Sequence, residues 1–170
     1  MVTLGLDAST TCVGYAFTKD KKILDMGFID IKKEKTPKEK VFRVLDILNK
    51  NSYIDETYKI NVEDNLQGFA GGRTSQQVIV KLAKFNAILC FMLEEMFEFT
   101  VYNINPMTAR KNVFGKARVK GIKAKDFVKE EIEKRFKTKK WCKKTKTGLW
   151  DKRNIDAYDG LVMSLFENKS

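Results

Sequence analysis

The chain alternates short strand-like runs with longer helical ones. Residues 2–6 form an apolar run closed by Asp7, and residues 13–18 alternate apolar and small side chains after the polar turn Ser9, Thr10, Thr11. A third run over 23–31 completes a predicted three-strand meander. Thr36 followed by Pro37 reads as an N-cap and first helical residue, with Val41, Val44, Leu45 and Leu48 as the buried stripe. Residues 58–63 make a fourth strand ending in acid. A glycine-rich turn over 68–72 then leads into the longest helical pattern, 74–97, where Val78, Leu82, Phe85, Leu89, Met92 and Met96 recur at three- and four-residue spacing. Val80, Ala83, Ala87 and Phe91 form a second stripe. A helix apolar on two faces lies either centrally in a fold or in a subunit interface.

Residues 101–104 are the fifth predicted strand, closed by Asn105 and Pro106. A basic connection, a helix over 123–136, a second basic loop and a final helix over 154–166 complete the pattern. This order predicts an α/β fold with a mixed sheet in a single domain, a reasonable size for 170 residues. Residues 137–153, dense in lysine, are the segment expected to be disordered. No apolar run reaches the roughly 18 to 20 residues of a membrane span, and Met1 leads straight into a strand, so an intracellular chain without a signal peptide is expected.

Charge sharpens this picture. Residues 105–125 hold seven basic and no acidic side chains, and residues 137–153 hold eight basic ones against Asp151 alone. Together they exceed the net charge of the whole chain, +11. Basic charge concentrated in two segments is the footprint of a polyanion binder, although a single lysine-rich loop serves equally to keep a protein soluble. There is no histidine, and Cys12, Cys90 and Cys142 are odd in number and far apart, which excludes a Cys/His zinc site and suits reduced thiols.

Four carboxylates stand where chemistry is expected. Asp7 ends the first strand and Glu63 the fourth, while Asp156 and Asp159 lie three apart on the last helix. At about 100° per residue, with Ile155 as origin, Asp159 falls at about 40° and Asp156 at about 100°, both at the lip of the buried stripe. Converging carboxylates repel one another unless a cation intervenes, and Mg²⁺ is the hard divalent ion that prefers such oxygens. Two ions about 3.5 to 4 Å apart would serve phosphodiester cleavage, with lysine and arginine holding the flanking phosphates. Asp64 adjoins Glu63 and, by strand alternation, faces the opposite side of the sheet, so either is a candidate ligand.

The segments Leu4-Gly5-Leu6-Asp7-Ala8-Ser9 with Gly14-Tyr15-Ala16, then Val62-Glu63, then Asp156-Ala157-Tyr158-Asp159-Gly160-Leu161 resemble, in order, the acidic motifs of RuvC-type Holliday junction resolvases of the RNase H-like superfamily. The resemblance spans almost the whole chain. It implies an RNase H-like fold with a five-stranded mixed sheet flanked by helices, and a homodimer acting on four-way junctions. It also implies incision dependent on Mg²⁺ or Mn²⁺ that leaves a 5′-phosphate and a 3′-hydroxyl. Asp7, Glu63, Asp156 and Asp159 match the four metal-binding positions, which selects Glu63 over Asp64. The glycine-rich stretch after Glu63 and the basic 137–153 segment resemble the divergent phage and viral branch, where substrate preference widens to other branched DNA.

The remaining candidates concern DNA. Phe69 is placed to stack on an unpaired base or to fold back on the core, and Arg73, at the start of the long helix, to bind a phosphate or merely to end a turn. Lys116, Arg118, Lys120 and Lys123 in one basic segment, and Lys139, Lys140, Lys143 and Lys144 in the other, are expected phosphate contacts. Trp141 and Trp150 either stack or pin their loop. Three rivals remain: a non-catalytic DNA-binding module of the same fold, an RNase H acting on RNA–DNA hybrids, and an actin-like or sugar-kinase ATPase, whose first phosphate loop Leu6 to Thr11 resembles. The last class uses two such domains and a much longer chain, so no nucleotide cofactor is expected.

Overall fold

The computed structural model describes residues 1–64 and 76–167. Phe69 and Arg73 lie outside them. The strands β1 (Val2–Ala8), β2 (Cys12–Lys19), β3 (Lys22–Asp30), β4 (Thr57–Glu63) and β5 (Thr100–Ile104) form a five-stranded sheet in the order β3-β2-β1-β4-β5. The β1/β2 and β2/β3 pairs are antiparallel, and β1/β4 and β4/β5 are parallel, so the sheet is mixed as expected.

Strand alternation divides β1 between two cores. Val2, Leu4, Leu6 and Ala8 face the helices α1 (Pro37–Asn49) and α2 (Gln76–Phe97), packing with Val44, Leu48, Phe85 and Leu89. The intervening residues Gly5 and Asp7 face α5 (Asn154–Leu165), which shares the opposite core with α3 (Pro106–Phe114) and α4 (Ala124–Arg135). Thr36 caps α1 as expected, and Glu39 completes a capping box by accepting the Thr36 backbone N–H at 3.0 Å.

Helix α5 lies almost on the backbone of the sheet. A Cβ added to Gly5 would fall 2.1 Å from the Ser164 nitrogen, and one added to Gly14 would fall 1.7 Å from the Asp156 carbonyl oxygen. Two further bonds fix the helix along its length: Thr18 Oγ1 donates to the Ser164 carbonyl at 3.0 Å, and Asn61 Nδ2 to the Met163 carbonyl at 2.8 Å. Every α5 residue from Asn154 to Leu165 except Asp156 is buried, so the helix is enclosed all round and not only along the predicted stripe.

Four expectations need correction. The connection after Asn105 contains the helix α3, whose start repeats the logic of α1: the Asn105 side chain accepts the backbone N–H groups of Met107 and Thr108, and Pro106 is the first helical residue. The segment 137–153 is ordered despite its charge. Asn154 clasps both the N–H and the carbonyl of Lys143, at 2.9 and 2.8 Å, Arg153 bridges Asp151 and Asp30, and Trp141 and Trp150 pack on the α3/α4/α5 core. On α2 the buried stripe is Leu82, Phe85, Asn86, Leu89 and Leu93, while Val78 and Met96 are exposed. Contrary to expectation, this helix is long and apolar enough by composition to cross a membrane, but its buried stripe is committed to the core beside α1.

Candidate active site

Asp7 sits one residue before the end of β1, directly across from Gly14 in the β1/β2 register. Because Gly14 has no side chain, the first turn of α5 seats against it, and the turn brings Asp156 and Asp159 beside Asp7. Glu63 ends β4. Its neighbour but one, Asn61, bonds to α5, so by alternation Glu63 faces α5 and Asp7. Asp64 lies on the other side of the sheet, lining a depression with Ala83, Asn86 and Ala87 of α2. Backbone geometry therefore groups Glu63, and not Asp64, with the other three carboxylates.

Burial sets the electrostatics. Asp7 and Glu63 are each 9 % exposed and Asp159 4 %. Burial pushes the Asp7 carboxyl well above its usual range, and the charges of Glu63, Asp159 and Asp156 push it further. Glu63 is raised to about 7 by burial and by Asp159, against the opposing pull of Arg110 and Lys125. Asp159 is also raised, burial outweighing Arg110 and Lys125. Asp156 adds its charge to all three, raising each of them, so the carboxylates belong to one acidic site.

Two cations from neighbouring helices enter this site. Arg110 of α3 donates to Asp159 at 3.2 Å with its guanidinium largely buried, and Lys125 of α4 donates to Asp156 at 3.0 Å while remaining 63 % exposed. The Arg110 Nε is buried without a hydrogen-bond partner. Neither residue stands out in the sequence beyond being part of a basic run. Both act across helix contacts, and the sequence pattern does not reveal α3.

An all-oxygen donor set drawn from β1, β4 and α5, strained by its own charge, fits a hard divalent cation. Among the described residues no three acidic, thiol or imidazole side chains are gathered as ligands for one ion. Arg110 and Lys125 hold two of the four carboxylates instead. All three cysteines are free thiols.

The expected phosphate contacts separate into two kinds. Arg118, Lys120, Lys123, Lys139 and Lys144 are exposed. Lys116 lies 3.9 Å from Glu131, Lys140 lies 3.9 Å from the Trp141 ring centre, and Lys143 lies 4.6 Å from that of Phe28. Those three are exposed as well, but each also has a structural partner.

No protein-family model and no curated protein matches this sequence. Among solved structures, the chain is similar to Thermus thermophilus RuvC in complex with a Holliday junction substrate, at 15 % identity and a TM-score of 0.63, covering 97 % of this chain and 90 % of that one. A second Thermus thermophilus RuvC structure matches at 14 % identity and a TM-score of 0.60, covering 97 % and 91 %. The chain therefore has the RuvC-type, RNase H-like fold over nearly its full length.

Proposed function

We propose that this protein is a metal-dependent endonuclease that cuts branched DNA, four-way junctions foremost, by nicking phosphodiester bonds. The observation that carries the reading is the set Asp7, Glu63, Asp156 and Asp159, three of them buried and Asp156 half-buried, whose charges act on one another where the C-terminal ends of the interior strands β1 and β4 meet the first turn of α5, flanked by exposed basic side chains. These four residues would hold Mg²⁺, or Mn²⁺ in its place. The chemistry such ions supply is an activated water and a stabilised leaving oxygen.

The protein's own residues prepare that chemistry. Burial of Asp7, Glu63 and Asp159 excludes bulk water from the carboxylates. Arg110, wedged against Asp159, fixes that side chain from behind. Lys125, exposed at the mouth, is placed to meet a phosphate oxygen as DNA arrives, and Arg118, Lys120 and Lys123 extend the positive surface along the same segment. A junction offers two equivalent strands, so paired nicking calls for a two-fold dimer. The exposed face of α2 is its natural seat.

The experiment is a cleavage gel with labelled four-way, three-way, flap, linear and RNA–DNA hybrid substrates in Mg²⁺, Mn²⁺ or EDTA. Cutting of branched DNA that EDTA abolishes is the expected result. Preferential cutting of the hybrid would instead make the protein an RNase H, and binding without cutting in either metal would leave only a DNA-binding module.

A further inference from the structure

A second feature of the basic 137–153 segment is not used by the acidic site. Between the end of α4, this segment and α5 lies a cavity of about 840 Å³, within the range of small-ligand sites. Phe136, Trp150 and Tyr158 line it. Tyr158 is 1 % exposed, and its hydroxyl is fixed by Thr138 Oγ1 at 2.9 Å, Cys142 Sγ at 3.2 Å and Glu133 Oε1 at 3.3 Å. Lys137, Lys139 and Lys144 line it as well, all three exposed. Among the described residues that line it the one carboxylate is Glu133, held by Lys129 at 2.8 Å.

A flat aromatic interior among several ammonium groups matches one ligand chemistry closely: a planar base with phosphates on either side. Paired bases are stacked inside their duplex, so only an unpaired nucleotide can enter. We infer that this cavity binds an unpaired nucleotide of the DNA strand lying across the acidic site, an inference that rests on the nuclease reading above.

The geometry of α4 connects the two places. Lys125, Lys129 and Glu133 are spaced four apart and so share one stripe of the helix. Lys125 bonds Asp156 in the acidic site, the Lys129 ammonium lies 5.5 Å from the Trp150 ring centre, and Glu133 lines the cavity. Eight residues of helix span about 12 Å. That is the rise of about three or four stacked nucleotides in one strand. A strand following this stripe thus has its phosphate at Lys125 and a base at Trp150 within a few nucleotides of each other. On α5, Tyr158 is turned about 100° from Asp159, so cavity and carboxylates occupy different sides of the same helix.

The test uses the full chain in EDTA with single-stranded DNA carrying 5-iodo-2′-deoxyuridine, irradiated to crosslink the base to the ring it stacks on and mapped by mass spectrometry. Crosslinks at Trp150 or Phe136 are expected. In parallel, Trp150→Leu should weaken single-strand binding about tenfold while leaving duplex binding within about twofold, since stacking requires an unpaired base. Crosslinks only elsewhere, as they would be if the cavity takes an acidic peptide, overturn the inference. So does an equal loss of affinity for single strand and duplex. The crosslink on the unmodified protein keeps the test valid if Trp150→Leu folds poorly. Junction cleavage in Mg²⁺ is read separately: a protein that cuts junctions but does not crosslink here loses only the cavity, and one that crosslinks at Trp150 but cuts nothing keeps the cavity and loses the nuclease.

Discussion

Glu63 shows what a single side chain contributes to the acidic site. In the unfolded chain it titrates near its ordinary value of 4.5, and in the folded protein near 7. Below the lower value it is neutral in both states. As the pH rises through the upper value, the fold must carry a buried charge that the unfolded chain carries in water, so stability falls between the two. In EDTA the melting temperature should drop from pH 5 to pH 8, and Glu63→Gln should remove much of that drop, melting above wild type at pH 8 and level with it at pH 4. Mg²⁺ should raise the wild-type value at pH 8. A Glu63→Gln protein less stable than wild type at pH 8 would contradict the assignment of its burial cost. Asp7→Asn should abolish cleavage, read on the gel, and leave junction affinity intact or improved, because it removes negative charge near the phosphates and leaves the basic surface untouched. The four carboxylates are legible in the sequence because strand ends and a three-residue helical spacing are local properties. The choice of Glu63 over Asp64 needs the face of β4 that meets α5. Arg110 and Lys125 pair with residues 49 and 31 positions away, which no local pattern reveals.

The elements are legible to the extent that a local signal governs them. Thr36 and Pro37 announce α1 and its buried stripe in full. The same signal at Asn105 and Pro106 reads as the end of a strand, because the basic residues of α3 form no apolar stripe and bury only Ala109 and Phe114. Asn105→Ala should cost about 1 kcal/mol in urea unfolding, as loss of an N-cap does. Lysine content suggests disorder for 137–153, yet two tryptophans and the clasp made by Asn154 outweigh that repulsion. The tight seat of α5 depends on glycines that carry no pattern of their own. Gly14→Ala forces Asp156 away from the sheet and should cost about 3 kcal/mol, the upper end of overpacking. Cleavage should fall with it in the fraction that still folds, and an unchanged urea midpoint would show that the helix is free to shift.

At the scale of the molecule, both basic surface and assembly can be tested. Replacing Lys139, Lys140, Lys143 and Lys144 with glutamine should flatten the salt dependence of duplex binding, by about 0.9 in log-log slope for each phosphate the protein no longer neutralises. An unchanged slope would leave these residues to solubility and to their rings. Of the second stripe of α2, Val80, Ala87 and Phe91 stay exposed in the single chain, Phe91 at 58 %, while Ala83 is turned partly inward; Ile88 beside them is exposed as well. Ala87→Glu should weaken the proposed dimer and turn paired incision into slow single nicks. A wild-type protein sedimenting as a monomer with and without DNA would remove the dimer altogether. The enclosure of α5 also has a consequence in time. Amide hydrogens of its buried turns, and of β1 and β2 beneath it, can exchange with solvent only when the whole fold opens, whereas the tip between Lys144 and Leu149 is held by a few exposed bonds. Deuterium uptake should therefore begin at the tip and finish at Tyr158 to Ser164. In mild denaturant the protein should lose part of its grip on DNA before its carboxylates separate, with the acidic site riding on the last cooperative unit to melt.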